Sequence, residues 1–355
     1  MNQRENLLSL LRRKGYAYVP VAFNLCPSLE REFQKRYGDR VKYYDHERFA
    51  SPWVKIDDSL VPGTESDAYR IYYDSLCPGT EIDIFGIAHE PGSESAAHMT
   101  RMRHPMASMD SLEQLQSYPL PLVDDSLAAM QTRQVQDAHE QGRAALGIMD
   151  CTVWEVSWYL RGMENLMMDM MSEDPMAEFV LDAIMNLSVK RACGYARAGA
   201  DIIFLGDDIG MQHSVMMSET MYVTWLKPRL QKIIQAAKEI NPDILIMYHS
   251  CGFVTPFIPH LMEAGVEVLN PIQPECMSFA DIHAQFGDVL SFHGTIGTQT
   301  TMPFGTPEEV RAAVQANLKI AGAAGGLLPA PTHLLEPEVP WENIEAYVQA
   351  CRDYR

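Results

Sequence analysis

The sequence predicts an α/β fold, a (β/α)8 TIM barrel with an irregular N-terminal extension. From about residue 144 onward, short apolar runs alternate with longer helical segments, which is typical of parallel strands joined by helices. The chain has 355 residues, of which 47% are apolar, enough for one large core. No glycine-rich fingerprint follows an early strand, so a doubly wound dinucleotide-binding sheet is disfavoured.

The strands are predicted where continuous apolar runs stand between turn-forming residues. Six lie in the second part of the chain, at 145–149, 202–205, 244–247, 266–269, 289–292 and 326–328. A seventh is predicted at 19–23, and an eighth is expected within the irregular first part. Helices are predicted at 175–198, 218–240, 254–264, 279–286 and 307–321.

These elements predict a single barrel domain over residues 1–355. Residues 1–140 form its irregular part, with many turn formers, and are expected to pack on the barrel. Residues 141–355 carry the main β/α repeats.

The charge of the chain limits its partners. Asp and Glu number 47 against 28 Lys and Arg, for a formal net charge of −19. Such a surface repels phosphate backbones and anionic lipids, so neither nucleic acid nor a membrane is an expected partner. No apolar stretch approaches the ~20 residues that cross a bilayer. The first residues also lack the apolar core of a signal peptide.

The seven cysteines are odd in number and widely spaced. This pattern argues against a disulfide framework, because such frameworks are typical of short secreted chains with a high density of cysteines. Reduced thiols and a cytoplasmic location are therefore expected.

Chemically capable residues follow the late strands. Asp207 and Asp208 follow the strand at 202–205, Gln273 follows the one at 266–269, and His333 follows the last strand. In an α/β barrel the carboxyl ends of the strands form one face, where site residues gather. We therefore expect a functional site at this mouth.

His249 and Cys251 end the strand at 244–247 and are two residues apart, so their side chains point to the same side. An imidazole nitrogen and a thiolate are typical zinc ligands. His333 is the expected third ligand and Cys276 the other thiol in range. A set of His249, Cys251 and His333 with one open position fits a catalytic zinc. The alternative is a buried cysteine beside a hydrogen-bonded histidine.

Other polar residues are expected around this pair. Asp207 and Asp208 are candidates to bind substrate or cofactor, to orient a metal ligand, or to cap the following helix. Glu155 follows the strand at 145–149 and either joins the site or is a solvated helix residue. Gln212 follows the Asp pair and is expected to line the same mouth as Gln273.

Several motifs in order carry a resemblance to a known family. They lie at 206–212, 249–252, 270–274, 292–294, 325–326, 331–333 and 340–343. From roughly residue 70 onward the chain resembles the uroporphyrinogen decarboxylase superfamily, in its cobamide-dependent (corrinoid) methyltransferase branch. The resemblance implies a (β/α)8 barrel with its site at the C-terminal mouth. It also implies zinc held by a His-x-Cys pair plus a later Cys, and a corrinoid protein as partner.

The sequence matches the pair at His249 and Cys251 but has His333 near the position of the later Cys. A second imidazole in place of a thiolate leaves a harder metal, better matched to an oxygen substrate such as a methyl ether. O-demethylation is therefore one expected reaction. The segment at 19–25 lacks the arginines with which uroporphyrinogen decarboxylases grip their substrate, so porphyrin decarboxylation is less favoured.

The expected function is a zinc-dependent methyltransferase. It would move a methyl group between a small substrate (a methyl ether, thiol or pterin) and the cobalt of a corrinoid protein. Asp207 and Asp208 are the expected catalytic residues, and Gln212, Gln273 and Glu155 the substrate-binding ones. Two alternatives are a metal-free decarboxylase that uses Asp207 or Asp208, and a pterin- or corrinoid-binding protein without catalysis.

Overall fold

A curled sheet of seven parallel strands forms the centre of the protein. The computed structural model describes residues 1–92 and 100–354. In chain order the strands are β1 (Trp53–Ile56), β2 (Ala144–Met149), β3 (Ile202–Gly206), β4 (Leu245–His249), β5 (Val268–Asn270), β6 (Ser291–His293) and β7 (Leu327–Leu328). Each strand pairs in parallel with the next in the chain. This order is that of a (β/α)8 barrel, so the predicted fold class is confirmed.

Helices connect the strands and surround the sheet. They are α1 (Gln3–Leu11), α2 (Pro27–Tyr37), α3 (Leu112–Gln116), α4 (Ala128–Glu140), α5 (Trp154–Arg161), α6 (Met163–Met171), α7 (Pro175–Ala198), α8 (Glu219–Met221), α9 (Lys227–Ile240), α10 (Ile258–Ala264), α11 (Phe279–Phe286), α12 (Thr301–Phe304), α13 (Pro307–Ala321) and α14 (Trp341–Asp353). The predictions for α7, α11 and α13 are confirmed. The helix predicted at 218–240 is divided, because a π-helical stretch, Tyr222–Leu226, separates α8 from α9.

The irregular first part forms two small antiparallel sheets. Leu60–Val61 pairs with Leu122–Val123, and Ala88–Glu90 pairs with Glu81–Ile82 on one side and Arg101–Arg103 on the other. A cluster of buried side chains from this part, including Tyr69 and Tyr118, packs against residues of α5 and α7. The first part therefore lies against the outer helices of the barrel.

The strand predicted at 19–23 is wrong. The segment is not part of a β-ladder, and only Leu25 makes an isolated parallel bridge, to Leu335. Pro20 has no backbone N–H to donate, which disfavours a paired strand here. The segment still lies beside the end of β7, because the Tyr347 hydroxyl is 3.1 Å from the Ala22 amide nitrogen and 2.9 Å from the Pro329 carbonyl oxygen. The strand expected within the first part is β1.

Helix α1 closes the amino end of the barrel. Its leucines are buried in one cluster with apolar side chains from β2, β3, β4, β5 and β7. Arg4 forms a bidentate ion pair with Asp201, the residue before β3, at 2.7 to 3.0 Å. Gly326, just before β7, donates its N–H to the Leu10 carbonyl at 2.7 Å. The amino end of the barrel is thus covered by α1, and the carboxyl ends of the strands form the opposite mouth.

Two predictions from composition can be compared with the structure. All seven cysteines are free in the structure. In the ranges that the structure describes, no helix is long and apolar enough to cross a membrane.

We expect Leu10→Ala to destabilise the protein. Leu10 is fully buried between α1 and the strands, and deletion of such a side chain costs about 2–5 kcal/mol of unfolding free energy. Chemical denaturation followed by circular dichroism measures this loss. Leu122→Ala is the matched control, because Leu122 is 60% exposed and its change should stay within about 0.5 kcal/mol. Equal effects of the two substitutions would contradict the role given to α1.

Candidate functional site

Three potential metal ligands meet at the carboxyl ends of β3 and β4. The register sets His249 beside Gly206 on one side and Asn270 on the other. The Cys251 sulfur and an Asp208 carboxylate oxygen each lie 3.5 Å from His249 Nε2. Ligand atoms of Asp208, His249 and Cys251 all lie within 4.8 Å of one another. In residues 1–92 and 100–354 this is the one group of three such residues, and we call it the ligand trio.

Asn270, at the end of β5, fixes the tautomer of His249. Its amide nitrogen lies 2.8 Å from the His293 carbonyl oxygen, which can only accept, so the amide orientation is determined. The amide oxygen then lies 2.6 Å from His249 Nδ1 and accepts the hydrogen bond that Nδ1–H donates. In the neutral imidazole the lone pair is then on Nε2, which faces Cys251 and Asp208. A hydrogen bond to the far ring nitrogen is the usual support of a metal-bound histidine.

The loop that carries Cys251 is held from two sides. The Cys251 amide donates to Asp208 at 2.7 Å, and the Gly252 amide donates to Gln273 at 3.1 Å. Gly252 has a φ of 84°, which favours glycine; a Cβ there would also lie 2.7 Å from the Met211 carbonyl oxygen. These two hydrogen bonds and the Gly252 turn fix the position of the sulfur.

Burial raises the pKa of the Cys251 thiol, and the nearby carboxylates of Asp208 and Glu155 raise it further. The thiol keeps its proton at neutral pH unless a cation displaces it.

Asp207 has a different surrounding from Asp208, although the two are adjacent. Its side chain is buried and accepts hydrogen bonds from the backbone N–H groups of Thr152, Val153 and Glu155 at 2.8 to 3.3 Å. These groups lie at the start of α5, so Asp207 caps a helix that precedes it in the chain and not the following helix considered from the sequence. Burial, and secondarily Glu155, raise the pKa of Asp207 to about 8, while the backbone donors oppose that rise.

Glu155 supports the loop behind the ligand trio. Its carboxylate accepts from the Tyr159 hydroxyl at 2.7 Å and from the Asp208 amide at 3.1 Å. Burial raises the pKa of Glu155, and the charge of Asp208 adds to the effect. The side chain is only 9% exposed, so the solvated helix position considered from the sequence is wrong.

His333 lies at the same mouth but outside the ligand trio. Its ring centroid is 6.5 Å from that of His249, and its side chain is exposed. It lines a cleft of about 340 Å³ that also reaches Cys251. The other lining residues are Gln273, Thr298, Gln299, Pro303, Phe304, Thr332, Leu334, Glu336 and Glu338. The structure thus brings His249 and Cys251 together, with Asp208 rather than His333 as their nearest companion.

The two predicted glutamines lie at different depths. Gln273 is buried and lines the cleft. Gln212 is exposed and exchanges side-chain hydrogen bonds with Gln299, at 3.2 and 3.3 Å. Gln299 lines the cleft, so Gln212 contributes to its rim through another side chain.

The donor set of the ligand trio fits zinc. An imidazole nitrogen, a thiolate and a carboxylate oxygen are all common zinc ligands, and a thiolate disfavours magnesium and calcium. Three protein ligands beside an open cleft leave a coordination position for a small molecule, as in catalytic zinc sites.

Two features of this site were not predicted from the sequence, the role of Asn270 and the carboxylates on the cleft wall. Asn270 stood at a strand end, but its role as the partner of His249 depends on strand register. Glu336 and Glu338, on the cleft wall, follow His333 in a loop rich in proline. The only sequence signal for them was their closeness to His333.

Comparison with known proteins assigns a family. A family model described as uroporphyrinogen decarboxylase matches residues 2–354. The chain belongs to the uroporphyrinogen decarboxylase family. A solved structure described as a methyltransferase from Methanosarcina mazei shares the fold of this family member with a TM-score of 0.67 at 19% identity. The likeness covers 99% of this chain and 98% of that one.

Two curated relatives of this family member are named as methyltransferases. A methylated-thiol–coenzyme M methyltransferase from Methanosarcina mazei is 28% identical over 208 residues, 56% of this chain and 50% of the relative. A methylcobamide:CoM methyltransferase from Methanosarcina barkeri is 26% identical over 179 residues, 49% of each protein. The matched stretch thus spans about half the length of each relative.

We expect Asp207→Ala to lower the unfolding free energy by about 2–4 kcal/mol, because it leaves several buried N–H groups at the start of α5 without an acceptor. Asp174→Ala is the matched control. The Asp174 side chain caps α7 by accepting one hydrogen bond from the Met176 N–H at 2.8 Å. Loss of this cap should lower the unfolding free energy by about 1 kcal/mol. Thermal and chemical denaturation compare the two variants. A smaller loss at position 207 than at position 174 would contradict the capping role.

Proposed function

We propose that this protein is a zinc-dependent methyltransferase that moves a methyl group between a small substrate and the cobalt of a corrinoid protein. The observation that carries the proposal is the ligand trio, in which His249 Nε2 faces Cys251 and Asp208 at the open mouth of the barrel. The methyl-transfer part is supported by the two curated relatives, which are named as methyltransferases, one of them of a methylcobamide.

His249, Cys251 and Asp208 are the proposed zinc ligands. Bound zinc would act as a Lewis acid that stabilises negative charge on the oxygen or sulfur that exchanges the methyl group. Asp208 replaces His333 in the set expected from the sequence, because its carboxylate already lies 3.5 Å from His249 Nε2. His333 is then placed to contact substrate in the cleft, together with Gln273.

The remaining polar residues act as positioning groups. Asp207 anchors α5 to the end of β3, and Glu155 on that helix holds the Asp208 amide. The metal-free decarboxylase alternative uses Asp207 or Asp208 to stabilise a protonated intermediate. Both oxygens of Asp207 are engaged by backbone N–H groups, which weighs against Asp207 in that role.

The donor set also bears on the substrate. One thiolate beside an imidazole and a carboxylate leaves a harder, more Lewis-acidic metal than two thiolates would. An oxygen leaving group suits such a metal, so a methyl ether is the proposed methyl donor. The name of one relative, a methylated-thiol–coenzyme M methyltransferase, favours a thiol as the alternative substrate.

Metal content tests the proposal directly. We expect about one zinc per purified chain by elemental analysis, lost in Cys251→Ser together with methyl transfer to a corrinoid protein. Cys276→Ser is the matched control, since Cys276 is also a partly buried thiol but lies outside the ligand trio. Asp208→Asn should lower zinc affinity and His333→Ala should leave it nearly unchanged. Full methyl-transfer activity in a metal-free preparation would refute the zinc role.

The raised pKa of Cys251 predicts how zinc binding depends on pH. Zinc binding must displace the thiol proton, so the apparent affinity should rise about tenfold per pH unit between roughly pH 6 and 8. Competition with a chromogenic chelator at several pH values measures this slope. An affinity that does not change with pH would show that no thiol proton is released and that Cys251 is not a ligand.

A further inference from the structure

The cleft above the ligand trio carries no Lys or Arg among its described lining residues. Its wall has two carboxylates, Glu336 and Glu338, and its other polar groups are amides, hydroxyls, a thiol and the His333 imidazole. Asp208 and Glu155 add carboxylates at and behind its inner end. Glu275 lies beside the same wall, where its carboxylate accepts a hydrogen bond from the backbone N–H of Gln299 at 3.2 Å.

An anionic group needs a counter-charge when it leaves water for such a cleft. Burial of an unpaired sulfonate or carboxylate is costly, and proteins that bind them supply Arg, Lys or a cluster of N–H donors. Carboxylates on the cleft wall add repulsion, and a concave low-dielectric surface focuses that field. The formal charge of −19 on the whole chain acts in the same direction.

We propose that the small substrate of this protein carries no negative charge outside the atom that exchanges the methyl group, and that the Glu338 side of the cleft selects a neutral or cationic body. This inference rests on the proposed function, because it places the reacting oxygen or sulfur at the ligand trio. The rest of the molecule then extends along the wall that carries Glu336 and Glu338. The volume of about 340 Å³ suits a small molecule.

Three small thiols that share a two-carbon chain and differ in the charge of the end group test the inference. They are 2-mercaptoethanesulfonate, 2-mercaptoethanol and 2-aminoethanethiol, each titrated into the zinc-loaded full chain by calorimetry. We expect the sulfonate to bind at least tenfold more weakly than the neutral thiol, and the ammonium compound to bind at least as tightly as the neutral one. A sulfonate that binds best would overturn the inference while leaving the proposed zinc enzyme intact.

Glu338→Lys should reverse this order of affinities, and Glu338→Gln should reduce the differences. Glu239→Gln is the control: it removes an exposed carboxylate from α9, a helix that contributes no residue to the described lining of the cleft. An unchanged order of affinities in Glu338→Lys would count against the role given to this wall.

A second measurement decides the inference if none of the three thiols binds, a result that would count against thiols as substrates under the proposed function. In the chelator-treated protein, Cys251 is modified with methanethiosulfonates that carry a sulfonate or a trimethylammonium group, and mass spectrometry follows the modified peptide. The cationic-to-anionic rate ratio at Cys251 should exceed the ratio for free 2-mercaptoethanol at least tenfold, and Glu338→Lys should lower it. Equal ratios would overturn the inference.

Discussion

The hydrogen bond from His249 Nδ1 to the Asn270 amide oxygen is the contact on which the site depends. It is set by parallel register, because β4 and β5 place these two residues side by side, and the end of β6 orients the Asn270 amide through the His293 carbonyl. Were the amide reversed, the lone pair of His249 would point at Asn270 and away from Cys251. The ends of β4, β5 and β6 therefore determine together that Nε2 of His249 faces the cleft.

The amino end of the barrel is closed by apolar side chains, whereas the carboxyl end holds polar ones. At the amino end, α1 fills the opening with leucines, and the Arg4–Asp201 ion pair fixes the helix to the start of β3. At the carboxyl end, side chains that are hard to bury are kept and satisfied by neighbours. Glu155 accepts hydrogen bonds from the Tyr159 hydroxyl and the Asp208 amide, and Asp207 accepts hydrogen bonds from backbone N–H groups at the start of α5. Polar groups satisfied in this way keep the residues of the ligand trio in place.

Most of the barrel could be predicted because buried parallel strands read as continuous apolar runs. The first strands could not be predicted in this way. Residues 19–23 are apolar, but Pro20 has no N–H to donate to a neighbouring strand. Strand β1 contains the exposed Lys55, so it is not a continuous apolar run. His249 and Cys251 were predictable as a pair from their spacing alone. The separate roles of Asp207 and Asp208 were not, because adjacent residues face different surroundings, and only the fold shows which one meets the start of α5.

The central claim is that one nitrogen, one sulfur and one carboxylate oxygen of this chain form a zinc site. X-ray absorption at the zinc edge of the zinc-loaded protein tests it most directly. The account predicts one sulfur at about 2.3 Å together with nitrogen and oxygen ligands at about 2.0–2.2 Å, and loss of the sulfur shell in Cys251→Ser. A shell of nitrogen and oxygen alone, or one with two sulfurs, would contradict the site described here.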